Sequence, residues 1–158
     1  MTMITFDNGD RRFTLRIAGM AMDGDRVLLH QPEGWDFWVL PGGRCELGES
    51  SAETLRREML EELGVEVEVG NLLWVTENFF HLDGVDFHEI GLYLAMRFSE
   101  EWLAAHRDGD FGGMEGDVPL TFRWFDRAAL GKVVYYPDFL GREMGNLPAA
   151  PRHVVQRD

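Results

Sequence analysis

The sequence predicts a mixed α/β domain, and three observations carry that expectation. Six stretches have the alternating or continuous apolar pattern of β-strands. One stretch, 51–63, has helical periodicity with boundary signals at both ends. The composition is 45% hydrophobic, which is globular rather than disordered, and no run is apolar for the length of a membrane span. At 158 residues the chain is expected to be one domain, 1–158, long enough to bury most of its apolar surface in a single core.

The strand-like segments are "RFTLRIAGMAM" (12–22), "RVLLH" (26–30), "FWVL" (37–40), "VEVEVGNLLWVTENFF" (65–80), "VDFHEIGLYLAMRF" (85–98) and "TFRWF" (121–125). In the helix, Ser50 with Glu53 three residues later makes a capping box, and Gly64 suits the left-handed residue that ends a helix. Shorter helices are expected at 100–106, at 127–130 after an Asp126 cap, and at 138–144 behind Pro137. The Gly- and Asp-rich segment 107–119 reads as a long surface loop, a candidate lid. The tail 148–158 is unassigned, and "MTMIT" at the start reads as an appended leader.

A net charge of −13 opposes binding of long nucleic acids through phosphate contacts, which needs a cationic surface. A small phosphorylated ligand fits only if metal ions supply positive charge. The absence of a basic region followed by an apolar stretch at the start, together with a single cysteine, Cys45, leads to the expectation of a cytoplasmic protein with no membrane association. Cys45 itself reads as a small half-buried residue. The sequence identifies no oligomer interface.

The helix concentrates acid. Glu58, Glu61 and Glu62 fall within one turn, next to the apolar arc formed by Ala52, Leu55, Met59 and Leu63. Like charges at these spacings cost a helix roughly 0.2–0.5 kcal/mol per pair. Carboxylates beside a buried stripe also lose solvation. Two readings answer this: a divalent cation such as Mg²⁺ or Mn²⁺ between the acids, or a solvated acidic face neutralised by Arg57 through contacts with Glu53 and Glu61.

The residues upstream bear on that choice. From Gly43 run five residues to Glu49, seven more to Arg57-Glu58, then Glu61-Glu62, Gly64 and the apolar Val65. Seven fixed residues at frequencies of roughly one in fifteen give chance odds on the order of 10⁻⁶ for such a chain. The stretch 43–65 resembles a complete Nudix box, the signature of the MutT-type hydrolases that cleave a nucleoside diphosphate linked to another group, and "WVLPGG" (38–43) extends the resemblance.

The resemblance implies an α-β-α sandwich with a mixed sheet between helices, and Mg²⁺ or Mn²⁺ held by Glu58, Glu61 and Glu62. Gly42 and Gly43 would let the backbone pass close to that metal, with the Gly42 carbonyl as a further ligand. Glu49 and Arg57 would pair and hold the loop against the helix. A further carboxylate from outside the box is expected as base or ligand. Glu89 is the candidate, because an acid within the apolar "FHEIGLYLAM" needs a partner, with Glu77 and Glu115 in reserve. The alternative for Glu89 is an edge-strand acid facing water. Arg44 is the candidate phosphate contact, and Trp35 and Phe79, with Phe37 and Phe80, are candidate stacking faces for a base. His88 reads as a packed or surface imidazole.

The implied activity is metal-dependent hydrolysis of a small nucleotide diphosphate compound. A nucleoside triphosphate, oxidised forms included, is favoured over ADP-ribose, nucleotide sugars or dinucleoside polyphosphates. A proline or a tyrosine downstream of the box marks some of those alternatives. Phe80 and "HLD" (81–83) stand where the marks would fall. A Nudix-fold sensor that binds without turnover is the competing function.

Overall fold

The computed structural model describes residues 2–158. Its strands form two six-stranded sheets. The first contains β1 (Thr5–Asn8), β2 (Arg11–Met20), β6 (Gly42–Arg44), β7 (Glu68–Leu82), β8 (Val85–Arg97) and β12 (Arg152–Arg157). Its order is β1-β2-β8-β7-β12, with β6 also pairing β2. Pairs β2/β8 and β7/β12 are parallel and the others antiparallel, so the sheet is mixed. The second contains β3 (Met22–Asp23), β4 (Arg26–Pro32), β5 (Trp38–Val39), β9 (Phe111–Glu115), β10 (Val118–Phe125) and β11 (Tyr135–Tyr136), in the order β11-β5-β4-β10-β9 with β3 on β4.

Two cores result from strand alternation. Ile17 and Leu94 pack on Leu55 and Met59 of α1 (Ser51–Leu63). Ala18, Met20 and Tyr93 point the other way, toward Leu130 of α3 (Arg127–Leu130) and Leu140 of α4 (Leu140–Glu143). Helices thus cover both faces, as an α-β-α sandwich requires. Leu28 of β4 enters one core and its neighbour Leu29 the other, so the second sheet contributes to both.

Helix α1 ends where its signals place it. Ser50 Oγ accepts from Glu53 N (3.2 Å), the Glu53 carboxylate accepts from Ser50 N (2.7 Å), and Gly64 adopts φ 66° with its N–H on Leu60 O. Helix α2 (Glu100–His106) is capped by Ser99, and α3 by Asp126 (2.8 Å to Ala129 N). Helix α4 is shorter than expected: Asp138 lies before it and accepts from Gln156 Nε2 (2.6 Å), and no side chain caps its start at Phe139.

Three segments depart from expectation. The 107–119 stretch is not a loop: β9 and β10 form a hairpin turning at Gly116 (φ 59°), with Phe111 stacked on Phe122 and Asp110 held by Arg123. The tail forms β12, whose partner β7 is about eighty residues away in sequence. Of the segment read as a leader, Met1 lies outside the described residues, while Thr2 O accepts from Leu47 N and Ile4 N donates to Cys45 O, which ties these residues to the fold. Cys45 is buried, more deeply than the sequence suggests.

Candidate active site

Arg57 is the hub of the helix's acidic side. Its Nε and Nη2 donate to Glu49 Oε2 and Oε1 (2.7 and 3.0 Å), Nη2 also reaches Arg44 O (3.0 Å), and Nη1 donates to Glu58 Oε1 (2.9 Å). This ties the 42–49 loop to the helix, as expected for Glu49 and Arg57. Thr54 Oγ1 and Glu46 N also donate to Glu49 Oε1 (3.0 Å each). With the Arg57 fork foremost, these contacts hold the Glu49 carboxyl down at about 2.

The three box acids have three environments. Glu61 is turned outward, its side chain 57% exposed, with Arg57 Nη1 at 3.2 Å. The neutralised acidic face is therefore real for Glu61, although Glu53 caps Ser50 rather than meeting Arg57. Glu58 is buried against Gly43, where any Cβ would collide with its carboxylate. Burial, reinforced by Glu62 and opposed by Arg57, raises its pKa to about 7. Glu62 is deeper still: neither carboxylate oxygen has a hydrogen-bond partner, and burial, with Glu115 adding repulsion, raises its pKa to about 9.

Beside Glu62 stands His30 of β4, with Nδ1 at 3.1 Å from Oε1 and side-chain exposures of 3% and 1%. Burial, then the charge of Arg16, lowers the His30 pKa to about 3. Burial thus disfavours the charged form of both partners, so the contact gains little from charge pairing.

Among the described residues no three His, Cys, Asp or Glu side chains converge closely enough to hold a metal ion. The expected three-acid cluster is therefore not preassembled, since Glu61 points to solvent. The chemistry of Glu58 and Glu62 nonetheless fits a hard divalent cation: both are buried carboxyls whose charged form is disfavoured, and Glu62 has two oxygens without a partner. The glycines divide their roles differently from expectation. Gly43 makes room for Glu58, whereas a Cβ on Gly42 would strike the Ile17 carbonyl of β2, so Gly42 permits close backbone packing.

Gly42, Gly43, Arg44, Glu58 and His30 border a cavity of about 870 Å³ together with the inner face of the first sheet, whereas Glu61 and Glu62 do not border it. Register puts Thr14, Glu89 and Asn78 in one row across β2, β8 and β7, with Arg16 in the next row opposite Arg44. Glu89 lies on a central strand, buried, accepting from Asn78 Nδ2 (3.2 Å), so the water-facing alternative does not hold. Burial raises its pKa, while Arg16, the Asn78 hydrogen bond and Arg44 oppose the rise. Its charged neighbours are these arginines rather than the acids of α1.

Trp35 (41% exposed) stacks at 4.7 Å on Phe37, which meets Tyr136, and all three border the cavity. Phe79 borders it too, but its ring packs on His88 with the Arg157 guanidinium over it, on the opposite face of the sheet from Glu89. Phe80, stacked on Phe87, shares Glu89's face. Of the reserve acids, Glu115 borders the cavity, whereas Glu77 pairs with His153 (2.6 Å) on Phe79's face. Arg16, His30 and Asn78 escaped the sequence reading. A lone Arg within an apolar strand was the available signal for the first, and His30 and Asn78 had none at short range.

A family profile, the NUDIX domain, matches residues 12–139, a span that includes the Gly43–Glu49–Arg57–Glu58–Glu62 constellation. The chain belongs to the NUDIX domain family. A Nudix relative, the putative ADP-ribose pyrophosphatase of Bacillus subtilis (strain 168), is 35% identical over 65 residues, covering 41% of this chain and 31% of that protein. The RNA pyrophosphohydrolase of Ruthia magnifica is 36% identical over 66 residues, covering 42% and 37%. The putative 8-oxo-dGTP diphosphatase 2 of Mycobacterium tuberculosis (strain ATCC 25618 / H37Rv) is 44% identical over 55 residues, covering 32% and 39%. The matched stretch thus spans only about a third of each relative's length. The fold resembles that of the NUDIX hydrolase from Nitrosomonas europaea, with a TM-score of 0.65 at 20% identity over 92% of this chain and 79% of that one.

Proposed function

We propose that this Nudix domain hydrolyses the phosphoanhydride of a small nucleotide, with a nucleoside triphosphate, oxidised forms included, as the favoured substrate. The observation that carries this is the meeting, in one cavity, of the buried acid Glu58 and the facing arginines Arg16 and Arg44. Like charges opposed across strands destabilise a sheet, and an anionic diphosphate between them relieves that repulsion. The volume lies within the range of nucleotide-sized pockets. The named activities of the three relatives share only the phosphoanhydride, which fits a reading pitched at that bond.

Glu58, Glu61 and Glu62, with the Gly42 carbonyl, are the oxygens that would hold Mg²⁺ or Mn²⁺. When bound, such an ion neutralises the diphosphate and lowers the pKa of an attacking water. The chain's own residues do the rest. Arg16 and Arg44 orient the phosphates. Glu58 is held for the ion by the hydrogen bond that its Oε1 accepts from Arg57 Nη1 (2.9 Å), which leaves Oε2 free. Glu89, on the cavity wall, outside the acids that would hold the ion and fixed by Asn78 Nδ2, is the carboxylate assigned to take the proton of the attacking water. Trp35 and Phe37 supply the stacking face for a base. Incubation of the purified chain with Mg²⁺ and a panel of nucleoside triphosphates, ADP-ribose, nucleotide sugars and dinucleoside polyphosphates tests the reading. Turnover abolished by EDTA supports it, whereas binding without turnover points to a sensor.

A further inference from the structure

The His30–Glu62 contact joins a strand of the second sheet to the last turn of α1, deeply buried beside the cavity that His30 borders. His30 is fixed by its surroundings: its backbone pairs with Val39 on one side and Phe122 on the other, and the Phe122 ring meets its imidazole edge-on at 5.1 Å. Glu62 is fixed by the helix, with Gly113 of β9 packed so tightly against its backbone carbonyl that a Cβ there would lie 2.6 Å away. Both side chains are nine-tenths buried or more, and His30 Nδ1 and both Glu62 oxygens lack any properly aligned partner, although Nδ1 and Oε1 stand 3.1 Å apart. The separation is within hydrogen-bond range, and it is the alignment that falls short. Buried polar atoms so placed call for an explanation.

We infer that His30 is a positioning residue for Glu62: its Nδ1–H holds one carboxylate oxygen so that the other is presented to a divalent cation. The inference rests on the functional reading above. An imidazole donating to a ligating carboxylate fixes the carboxylate's rotamer and supplies the one polar contact that a buried, ionised Glu62 otherwise lacks. Strand β4 carries this residue, far from the 43–65 box, so the box alone would leave Glu62 unsupported.

The test measures cation binding without substrate: thermal melts of the parent chain titrated with MgCl₂, against NaCl at matched ionic strength. Three variants separate donor from shape. His30→Phe keeps a ring against Phe122 and removes the donor. His30→Asn places an amide N–H near the position of Nδ1, and His30→Gln places it farther out, near Nε2. Loss of such a supporting contact typically weakens metal binding about 10–100-fold. The expected result is a Mg²⁺ half-saturation raised about tenfold or more in His30→Phe and His30→Gln and restored to within a few-fold of the parent in His30→Asn. The Asn/Gln contrast stands even if His30→Phe fails to fold. A parent-like half-saturation in His30→Gln or His30→Phe overturns the inference, as does an equal loss in Asn and Gln, which would implicate the ring rather than the donor. A parent that responds identically to both salts would instead overturn the functional reading beneath it.

Discussion

Arg57 grips Glu49 with two parallel hydrogen bonds, Nε to Oε2 at 2.7 Å and Nη2 to Oε1 at 3.0 Å, and the same guanidinium reaches Glu58 through Nη1. One side chain therefore anchors the glycine-bearing loop and aims the acid beside it. Lysine has one ammonium and cannot reproduce the fork. Arg57→Lys is expected to keep the fold and lower kcat by one to two orders of magnitude, about 1.4–2.7 kcal/mol. Steady-state kinetics alongside a melt check this, and unchanged kcat with an unchanged melt would contradict it.

The same pair sets an acid limit. Glu49 has a folded pKa near 2, below its ordinary value of 4.5, so its contribution is present above pH 4.5 and is lost as pH falls toward 2. After solvent screening, this amounts to about 1–2 kcal/mol. Glu49→Gln should show a shallower loss of thermal midpoint between pH 5 and 3 than the parent.

Glu62 has the opposite sign. Its folded pKa, near 9, lies above the unfolded value, so the native state holds the extra proton and stability falls as pH rises from 4.5 through 9. His30, with its pKa lowered to about 3, gives stability that rises with pH up to about 6.5, which opposes Glu62 only below that point. Above pH 6.5 the raised acids oppose stability, Glu58 near 7 and Glu62 near 9, with Glu89 also raised. Melts in EDTA from pH 6.5 to 9 should fall in the parent and fall less in Glu62→Gln. Glu62→Gln should also lose most of its turnover while folding normally. Matching slopes in the two proteins would remove the account of Glu62 as a strained buried acid.

The two glycines should fail in different ways. Gly42→Ala drives a Cβ into the Ile17 carbonyl, a rigid backbone group, and should lower stability by about 1–3 kcal/mol or more. Gly43→Ala meets only the Glu58 carboxylate, which can swing aside, so the melt should move little while turnover drops. Denaturant midpoints and kcat for both variants decide, and equal stability losses would refute the division.

Glu61 tests the exposed end of the cluster. Because it is open to water and paired with Arg57, Glu61→Gln should change the metal-free stability by less than about 0.5 kcal/mol. Its Mg²⁺-specific thermal shift should be smaller than the parent's, since one candidate oxygen ligand is gone. A full shift would exclude Glu61 from the ion's shell.

What the sequence determined by itself was local. The capping box at Ser50, the stop at Gly64 and the spacing of Glu49, Arg57, Glu58 and Glu62 lie within one short stretch, where helix geometry converts spacing directly into position. Helices α2 and α3 were legible for the same reason, each carrying its own cap. Tertiary structure alone decided what depends on partners distant in the chain. The glycine-rich 111–115 segment becomes a strand because Phe111 finds Phe122, and the tail becomes β12 because the edge of β7 is free to pair. The order of burial among the acids was partly legible too: at 100° per residue Glu62 lies nearest the apolar arc of the helix and Glu61 farthest from it. Tertiary structure decided how complete that burial is, because β9 and His30 close over Glu62, Gly43 admits Glu58, and Glu61 is left to water and Arg57. Burial sets a carboxyl's charge more strongly than its neighbours along the helix do, and burial is a property of what packs against the helix.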